Sequence, residues 1–148
     1  MSSRTKPSIQ QLQNRIGGHG DADPKALVPN PRNWRKHPKA QADALSGVLS
    51  EVGWVQQVIV NQRTGRLVDG HLRVELALRR REPTVPVVYV DLSETEEAKV
   101  LATLDPLSAM AAPDTDALLA LLQDATFQDG AVNAMLEGLA NGETLPLR

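Results

Sequence analysis

A short segment at the centre of the chain combines a turn-forming glycine with groups that bind anions. Residues 67–73 read Leu-Val-Asp-Gly-His-Leu-Arg, a pattern that indicates a strand, a tight turn and the start of an amphipathic helix. Gly70 has no Cβ, so the backbone can turn sharply and a ligand can approach it closely. The free N–H groups of a first helical turn favour negative charge, and Arg73 adds a guanidinium for phosphate or carboxylate. The segment therefore predicts an oxyanion site.

Three side chains beside this turn are candidates for acid–base chemistry: His71, Asp69 and Glu75. The carboxylates could act as a general base or hold a metal ion, although Asp69 is equally suited to cap the helix. A helix N-terminus disfavours a charged imidazole, so His71 is expected to be a neutral donor to a ligand oxygen or an exposed turn residue. No spacing of His, Asp and Glu predicts a metal site, so Mg²⁺ is expected only together with a nucleotide.

A basic loop upstream could supply further cations. Residues 24–39 hold four prolines and five Lys or Arg side chains, which is typical of an extended loop. The phosphate or nucleotide site is predicted to comprise Gly70, His71, Leu72, Arg73, Arg32, Arg35 and Lys36. Contact with nucleic acid is predicted for Arg32, Arg35, Lys36, His37 and Lys39. A solvated loop is the alternative.

Composition restricts the class of protein. The 148 residues include no cysteine, which excludes disulfides and thiolate metal sites and suits a reducing cytoplasm. No apolar run has the length of a membrane span or a signal peptide. Residues 1–39 carry eight Lys and Arg against two acids, and residues 91–148 carry two against eleven. This asymmetry favours contact of a basic arm with nucleic acid or pairing of the two ends, with a solvated arm as the alternative.

Apolar periodicity and turn residues predict the elements that position these groups. Helices are expected over 40–52, 71–81 and 94–104, the last beginning with a capping box and ending at Asp105-Pro106. Strands are expected near 26–28, 55–61, 66–68 and 85–90, the last buried on both faces. Residues 1–23 are expected to be a flexible arm. Two acidic helices near 114–123 and 131–140 expose leucines that need cover from the domain or a partner.

Three motifs in this order resemble the ParB/sulfiredoxin-like family, in particular ParB N-terminal-domain modules of phages, mobile elements and DNA methyltransferases. They are Asn-Pro-Arg at 30–32, Gly-x-x-Gln-x-Val-x-Val at 53–60 and Gly-x-x-Arg at 70–73. The resemblance implies an α+β fold, a small mixed sheet with surrounding helices, followed by the acidic helices. It implies three regions: an arm (1–23), a ParB-like N-terminal domain (24–110) and a helical C-terminal extension (111–148).

Departures from the family limit the functions that the resemblance implies. Partition ParB proteins usually read Gly-Glu-Arg-Arg at the turn, where the Glu assists CTP hydrolysis; here His71 and Leu72 replace the middle residues. Gln57 also stands where relatives commonly have proline. Sulfiredoxins use a cysteine nucleophile at the turn, and this chain has none, so sulfiredoxin activity is excluded.

Three functions remain open after these departures. The first is a nucleotide- or phosphate-binding module in DNA modification, partition or mobile-element biology, with weak or no hydrolysis of a nucleoside triphosphate (CTP or ATP) bound with Mg²⁺. The second is a catalytically silent adaptor for a DNA methyltransferase, and the third is a small nuclease or phosphotransferase. DNA, a methyltransferase or other mobile-element protein, and a second copy of the chain are the expected partners.

Overall fold

A mixed four-stranded sheet organises residues 11–142, the part of the chain that the computed structural model describes. In chain order the elements are β1 (Ile16–Ala22), a 3-10 turn (Pro24–Ala26), α1 (Lys39–Glu51), β2 (Val58–Asn61), β3 (Arg66–Asp69), α2 (His71–Arg79), β4 (Val85–Val90), α3 (Glu94–Ala109), α4 (Thr115–Asp124) and α5 (Gly130–Ala140). The strands lie in the order β1-β4-β2-β3. β4 is parallel to β2 and antiparallel to β1, and β2 and β3 form an antiparallel hairpin. The predicted α+β class is confirmed.

The core lies where α2 packs on the middle of the sheet. It consists of one cluster of buried side chains: Val58, Val60, Leu67, Val74, Ala77, Val85 and Val87. Valines suit this position because β-branched side chains pack well on a pleated surface. In β4 only Val85 and Val87 are fully buried, and the other four residues are partly exposed. The prediction that the whole strand is buried on both faces is therefore wrong. The core fixes the β3–α2 junction against β2.

The first strand corrects the prediction of a flexible arm over residues 1–23. Residues 16–22 form β1, which pairs with β4 so that Gly18 lies opposite Tyr89 and Gly20 opposite Val87. Because this segment is rich in glycine and polar residues, its strand depends on pairing with β4 rather than on an apolar face that periodicity could reveal. The prediction for residues 1–10 lies outside the described residues.

Two other predicted boundaries are wrong. Residues 24–26 form a 3-10 turn capped by Asp23, and Val28 makes only an isolated bridge to Arg66, so no strand spans 26–28. The helix that was predicted to end at Asp105-Pro106 continues to Ala109 with Pro106 inside it. A proline removes one main-chain donor and usually ends or kinks a helix, but α3 continues for three residues beyond it.

The C-terminal helices pack on the domain through α1. Gly47 leaves room for the carboxylate of Asp129, which accepts from the main-chain N–H of Val132 and so caps α5. The carboxylate of Glu51 accepts from the main-chain N–H of Gln128 at 3.0 Å and of Asp129 at 2.8 Å. The docking of α5 therefore depends on a glycine and on a charged cap rather than on apolar contact alone.

α4 is less firmly packed than α5. It has no buried residue, and Leu119 and Leu121 are 46% and 61% exposed. None of the helices in residues 11–142 is both long enough and apolar enough to cross a bilayer.

Candidate anion-binding site

The turn between β3 and α2 has the conformation that its glycine predicts. Gly70 has φ +96°, a left-handed value that side chains with a Cβ rarely adopt. A Cβ at this position would lie 2.6 Å from Cγ1 of Val58, so the residue must be small because the turn packs directly on β2. No side chain of residues 11–142 caps α2, and its first turn holds no acidic residue. The first helical bond runs from Val74 N–H to the Gly70 carbonyl, which leaves the N–H groups of residues 71–73 available to a ligand.

A cavity of about 280 Å³ lies beside this turn. The 69–73 segment forms one side, and residues from the basic loop, α1 and α3 complete the wall. Its charged side chains are Arg35 and Arg73 against Asp69 and Asp105, so the fixed charges balance. An anion that enters this cavity would therefore compete with the two carboxylates for the two guanidinium groups.

The arginines in this wall are already paired with carboxylates. Nη1 of Arg35, whose side chain is only 9% exposed, lies 3.2 Å from Oδ1 of Asp69 and 2.8 Å from Oδ1 of Asp105. Nη2 of Arg73 lies 3.2 Å from Oδ2 of Asp69, and Nη1 donates to Gln56 at 3.3 Å. Nε of Arg73 is buried and has no hydrogen-bond partner within residues 11–142. Both arginines thus line the cavity beside Gly70, and their guanidinium groups are already in contact with carboxylates.

His71 is held as a neutral side chain. Burial lowers its pKa to about 4, with the charge of Arg35 as the next contribution. Nε2 accepts from the main-chain N–H of Asn30 at 3.0 Å, and Nδ1 is buried with no partner among the residues that the structure describes. Of the two alternatives for His71, the exposed turn residue is wrong, because the ring is largely enclosed between the loop and the helix.

A second cavity, of about 630 Å³, adjoins the first and has a positive lining. The two share Arg35, His37, His71 and Leu72. Four cations (Arg35, Lys36, Lys39 and Arg79) face two acids (Asp43 and Glu75) in the second cavity. The structure thus gathers most of the predicted phosphate and nucleic-acid residues around two adjoining cavities. Arg32 is exposed and lines neither of them.

The carboxylates that were predicted as catalytic candidates are engaged in ion pairs. Asp69 pairs with Arg35 and Arg73, and Glu75 pairs with Arg79 at 2.5 Å. Glu75 lines only the second cavity. Within residues 11–142 no three His, Asp or Glu side chains are grouped in a way that could hold a metal ion. A metal at this site would have to be held partly by the ligand itself.

A buried polar network behind the site was not predicted from the sequence. Glu97 is 2% exposed and accepts from Thr64 at 2.6 Å, Asn61 at 2.9 Å and Asn30 at 3.2 Å. Asn30 also donates to the Leu67 carbonyl. The only sequence signal was the Asn-Pro-Arg motif itself, because a Glu on a polar helix usually faces solvent. This network fixes the start of the basic loop against β3 and α3.

Another lining residue, Asp105, was missed for a different reason. Its neighbour Pro106 made the pair look like the end of a helix, whereas α3 continues and directs the Asp105 carboxylate toward Arg35 at 2.8 Å. Trp34 also ties the loop to α3, because its Nε1 donates to the Leu101 carbonyl at 2.9 Å. α3 therefore forms part of the wall of the site.

Solved structures with a similar fold include two ParB proteins. No protein-family model matches the chain, and no curated protein does. The C-terminally truncated chromosome-partitioning protein ParB from Caulobacter crescentus, complexed with CTP-gamma-S, has 19% identity and a TM-score of 0.59 over 86% of this chain and 72% of that one. A Pnob8-like ParB-N domain has 17% identity and a TM-score of 0.53 over 76% of this chain and 46% of that one. The chain therefore has the fold of the ParB N-terminal domain.

Proposed function

We propose that this protein is a ParB-like module that binds the phosphates of a nucleotide at the N-terminus of α2. The observation that carries the proposal is a surplus of donors around one cavity. The N–H groups of residues 71–73 precede the first helical bond, and Nδ1 of His71 and Nε of Arg73 are buried without a partner in the described part of the chain. Oxyanions satisfy such a set, because their oxygens accept several hydrogen bonds at once.

The ParB from Caulobacter crescentus, which has this fold, was crystallised with a CTP analogue, and this supports a nucleoside triphosphate as the ligand. Gly70, His71, Leu72 and Arg73 would hold its phosphates from the helix side, and Arg35 and Lys36 from the loop side. Mg²⁺ bound with the nucleotide would neutralise part of the phosphate charge. Asp69 and Asp105 are the carboxylates that line this cavity, and both are paired with Arg35. CTP and ATP are the expected ligands.

Weak or absent hydrolysis follows from the state of the candidate catalytic groups. Asp69 and Glu75 form ion pairs with arginines, and Nε2 of His71 accepts a hydrogen bond from the main-chain N–H of Asn30. A general base must direct a lone pair at the attacking water, whereas these contacts direct the carboxylates at arginines and Nε2 of His71 at a main-chain N–H. We therefore favour a binding module over a nuclease or phosphotransferase.

The biological setting is a further part of the proposal. We infer that the positive lining of the second cavity contacts DNA through Lys36, His37 and Lys39, with Arg32 beside it on the same exposed loop. Such contact would be independent of base sequence and steeply dependent on salt.

The exposed leucines of α4 favour a protein partner, which makes an adaptor for a DNA methyltransferase or another mobile-element protein the second candidate. A homodimer stays a prediction.

Isothermal titration calorimetry with CTP, ATP, GTP, UTP and inorganic phosphate, each with and without Mg²⁺, tests this function. Arg73→Ala should weaken binding by about ten- to a hundredfold, since it removes a charge-assisted contact of about 1.5–3 kcal/mol. Arg63→Ala is the matched control, because Arg63 pairs with Asp91 at the surface and lines neither cavity. No binding of any of these ligands, or equal loss in both variants, would contradict the proposal.

A further inference from the structure

The hydrogen bond between Asn30 and His71 determines where the imidazole proton lies. The main-chain N–H of Asn30 donates to Nε2 of His71 at 3.0 Å. A main-chain amide can only donate, so Nε2 must present its lone pair, and in a neutral ring the proton is then on Nδ1. The structure thus selects one of the two tautomers.

The donor of this bond is itself firmly held. Asn30 is 4% exposed, and its Nδ2 donates to the Leu67 carbonyl at 3.0 Å and to Glu97 at 3.2 Å. Its Oδ1 accepts from the main-chain N–H of Arg32 at 3.0 Å. With the side chain fixed on three sides, the main-chain N–H of Asn30 keeps its direction toward His71, and the imidazole ring keeps its orientation.

The proton on Nδ1 has no acceptor. Nδ1 is shielded from bulk solvent and has no partner among the described residues, and an unpaired buried donor is unfavourable. Among the described residues, the other unpartnered buried donor is Nε of Arg73, and His71 and Arg73 both belong to the first turn of α2 and line the first cavity. An acceptor with more than one oxygen that enters this cavity could satisfy both donors.

We propose that His71 binds the ligand as a neutral hydrogen-bond donor, giving its Nδ1–H to an oxyanion oxygen, and that it does not act as a general base. The inference rests on the proposed function and specifies the chemistry of that site. Because Nδ1 is shielded, the ligand must shift part of the lining to reach it. Arg35 is suited to move, since its guanidinium can exchange two carboxylates for a phosphate.

The charged groups around the ring are consistent with a neutral imidazole. Arg35 and His37 on the loop lower the pKa of His71 and Asp69 on β3 raises it, but burial has the largest effect and brings the pKa to about 4. The ring is therefore neutral through the physiological range, and a ligand should find the same donor at pH 6 and pH 8.

Long-range ¹H–¹⁵N NMR of the histidine ring nitrogens in the full chain tests the inference. We expect His71 in the Nδ1–H tautomer, without titration between about pH 6 and 8, and a shift of its Nδ1 signal when inorganic phosphate or CTP with Mg²⁺ is added. An Nε2–H tautomer, or titration near the ordinary value, would overturn it. Binding detected by calorimetry without a change at Nδ1 would overturn this inference alone, whereas no binding would overturn the proposed function as well.

Two substitutions separate the roles of the two ring nitrogens. His71→Gln can present an oxygen to Asn30 near the position of Nε2 but no donor near Nδ1, so it should retain the fold and weaken phosphate binding by about two- to tenfold. His71→Asn can present an amide donor near Nδ1 but no acceptor to Asn30, so it should bind more tightly than His71→Gln while unfolding at a lower temperature. The reverse order of affinities, or Gln binding as tightly as His, would contradict the proposal.

Discussion

Arg73 and Asp69 form an ion pair across the Gly70 turn, with Nη2 of the arginine 3.2 Å from Oδ2 of the carboxylate. Both side chains are partly buried, at 15% and 26% exposure, and both line the cavity. The carboxylate of Asp69 has two effects on Arg73. It orients the guanidinium, and it competes with any anion for that guanidinium. Asp69 competes for Arg35 in the same way, at 3.2 Å.

Asp69→Asn should therefore raise anion affinity. The change removes one negative charge from a cavity whose charges now balance, and at these distances a unit charge has a substantial effect. We expect phosphate to bind about three- to tenfold more tightly in calorimetry at low salt. Asp124→Asn, at the end of α4, removes the same charge from an exposed position outside the cavities and should have no effect. Weaker binding by Asp69→Asn would mean that the carboxylate itself holds the ligand or its metal.

Gly70→Ala should destabilise the fold as well as the site. The new Cβ would collide with Val58 and would have to adopt φ +96°. We expect the free energy of unfolding in urea to fall by about 2–4 kcal/mol, from left-handed strain and overpacking together. Gly65→Ala is the control, because Gly65 has φ +74° and nothing within 4 Å of its Cβ; it should lose only the strain, about 1 kcal/mol. Equal losses would show that contact with Val58 is unimportant.

The Glu97 network should make stability fall in acid. Burial acts to raise the pKa of Glu97, but hydrogen bonds from Thr64, Asn61 and Asn30 offset this and bring it below the ordinary value of 4.5. A carboxylate with a lowered pKa stabilises the fold fully above its unfolded value and loses that contribution as the pH falls through the folded value. Thermal unfolding followed from pH 7 to acid should therefore show a decline below about pH 4.5.

Glu97→Gln separates this contribution from those of other carboxylates. An amide at this position would turn a donor toward Asn30 or Asn61, so stability at pH 7 should fall by about 2 kcal/mol, and the decline in acid should be smaller than in the wild type. Glu94→Gln is the control, since Glu94 is exposed in the first turn of the same helix, and it should leave both the stability at pH 7 and the decline in acid nearly as in the wild type. A Glu97→Gln variant with the same stability and the same acid profile as the wild type would contradict a stabilising role for Glu97.

The contact between Gly47 and Asp129 should decide whether α5 stays docked. Gly47→Ala favours α1 by about 1 kcal/mol in helix propensity, yet the new methyl group would collide with the carboxylate of Asp129. Since this side chain caps α5, it cannot move without losing the cap. We expect amide hydrogen exchange to become faster in α5 but not in the sheet. Asp129→Ala, which loses the cap without a collision, should speed exchange less, and unchanged exchange in Gly47→Ala would contradict the packing account.

The strands and helices with strong periodicity were predictable, and those that depend on distant partners were not. The junction at Gly70 could be read because a strand, a glycine and a helix follow one another within a few residues. β1 could not be predicted, because Gly18 and Gly20 have no apolar side chains and the strand forms by pairing with β4. Pro106 gave a misleading signal, since it predicted the end of α3, whereas the helix continues to Ala109.

The same distinction applies to the site. Arg73 and His71 could be placed from their positions in the first turn of α2. The contacts in the site could not be predicted, because Asn30 reaches His71, and Asp105 reaches Arg35, from parts of the chain far away in sequence. The sequence thus indicates which groups can bind an anion, whereas the structure determines which of them are already engaged.

A crystal structure of the full chain grown with CTP and Mg²⁺ tests the central claim most directly. The account predicts phosphate oxygens within hydrogen-bonding distance of the main-chain N–H groups of residues 71–73, with Arg73 and Nδ1 of His71 as further donors. Nucleotide bound only over the basic loop at 31–39, with the Arg73–Asp69 pair intact and the first turn of α2 without an acceptor, would contradict it.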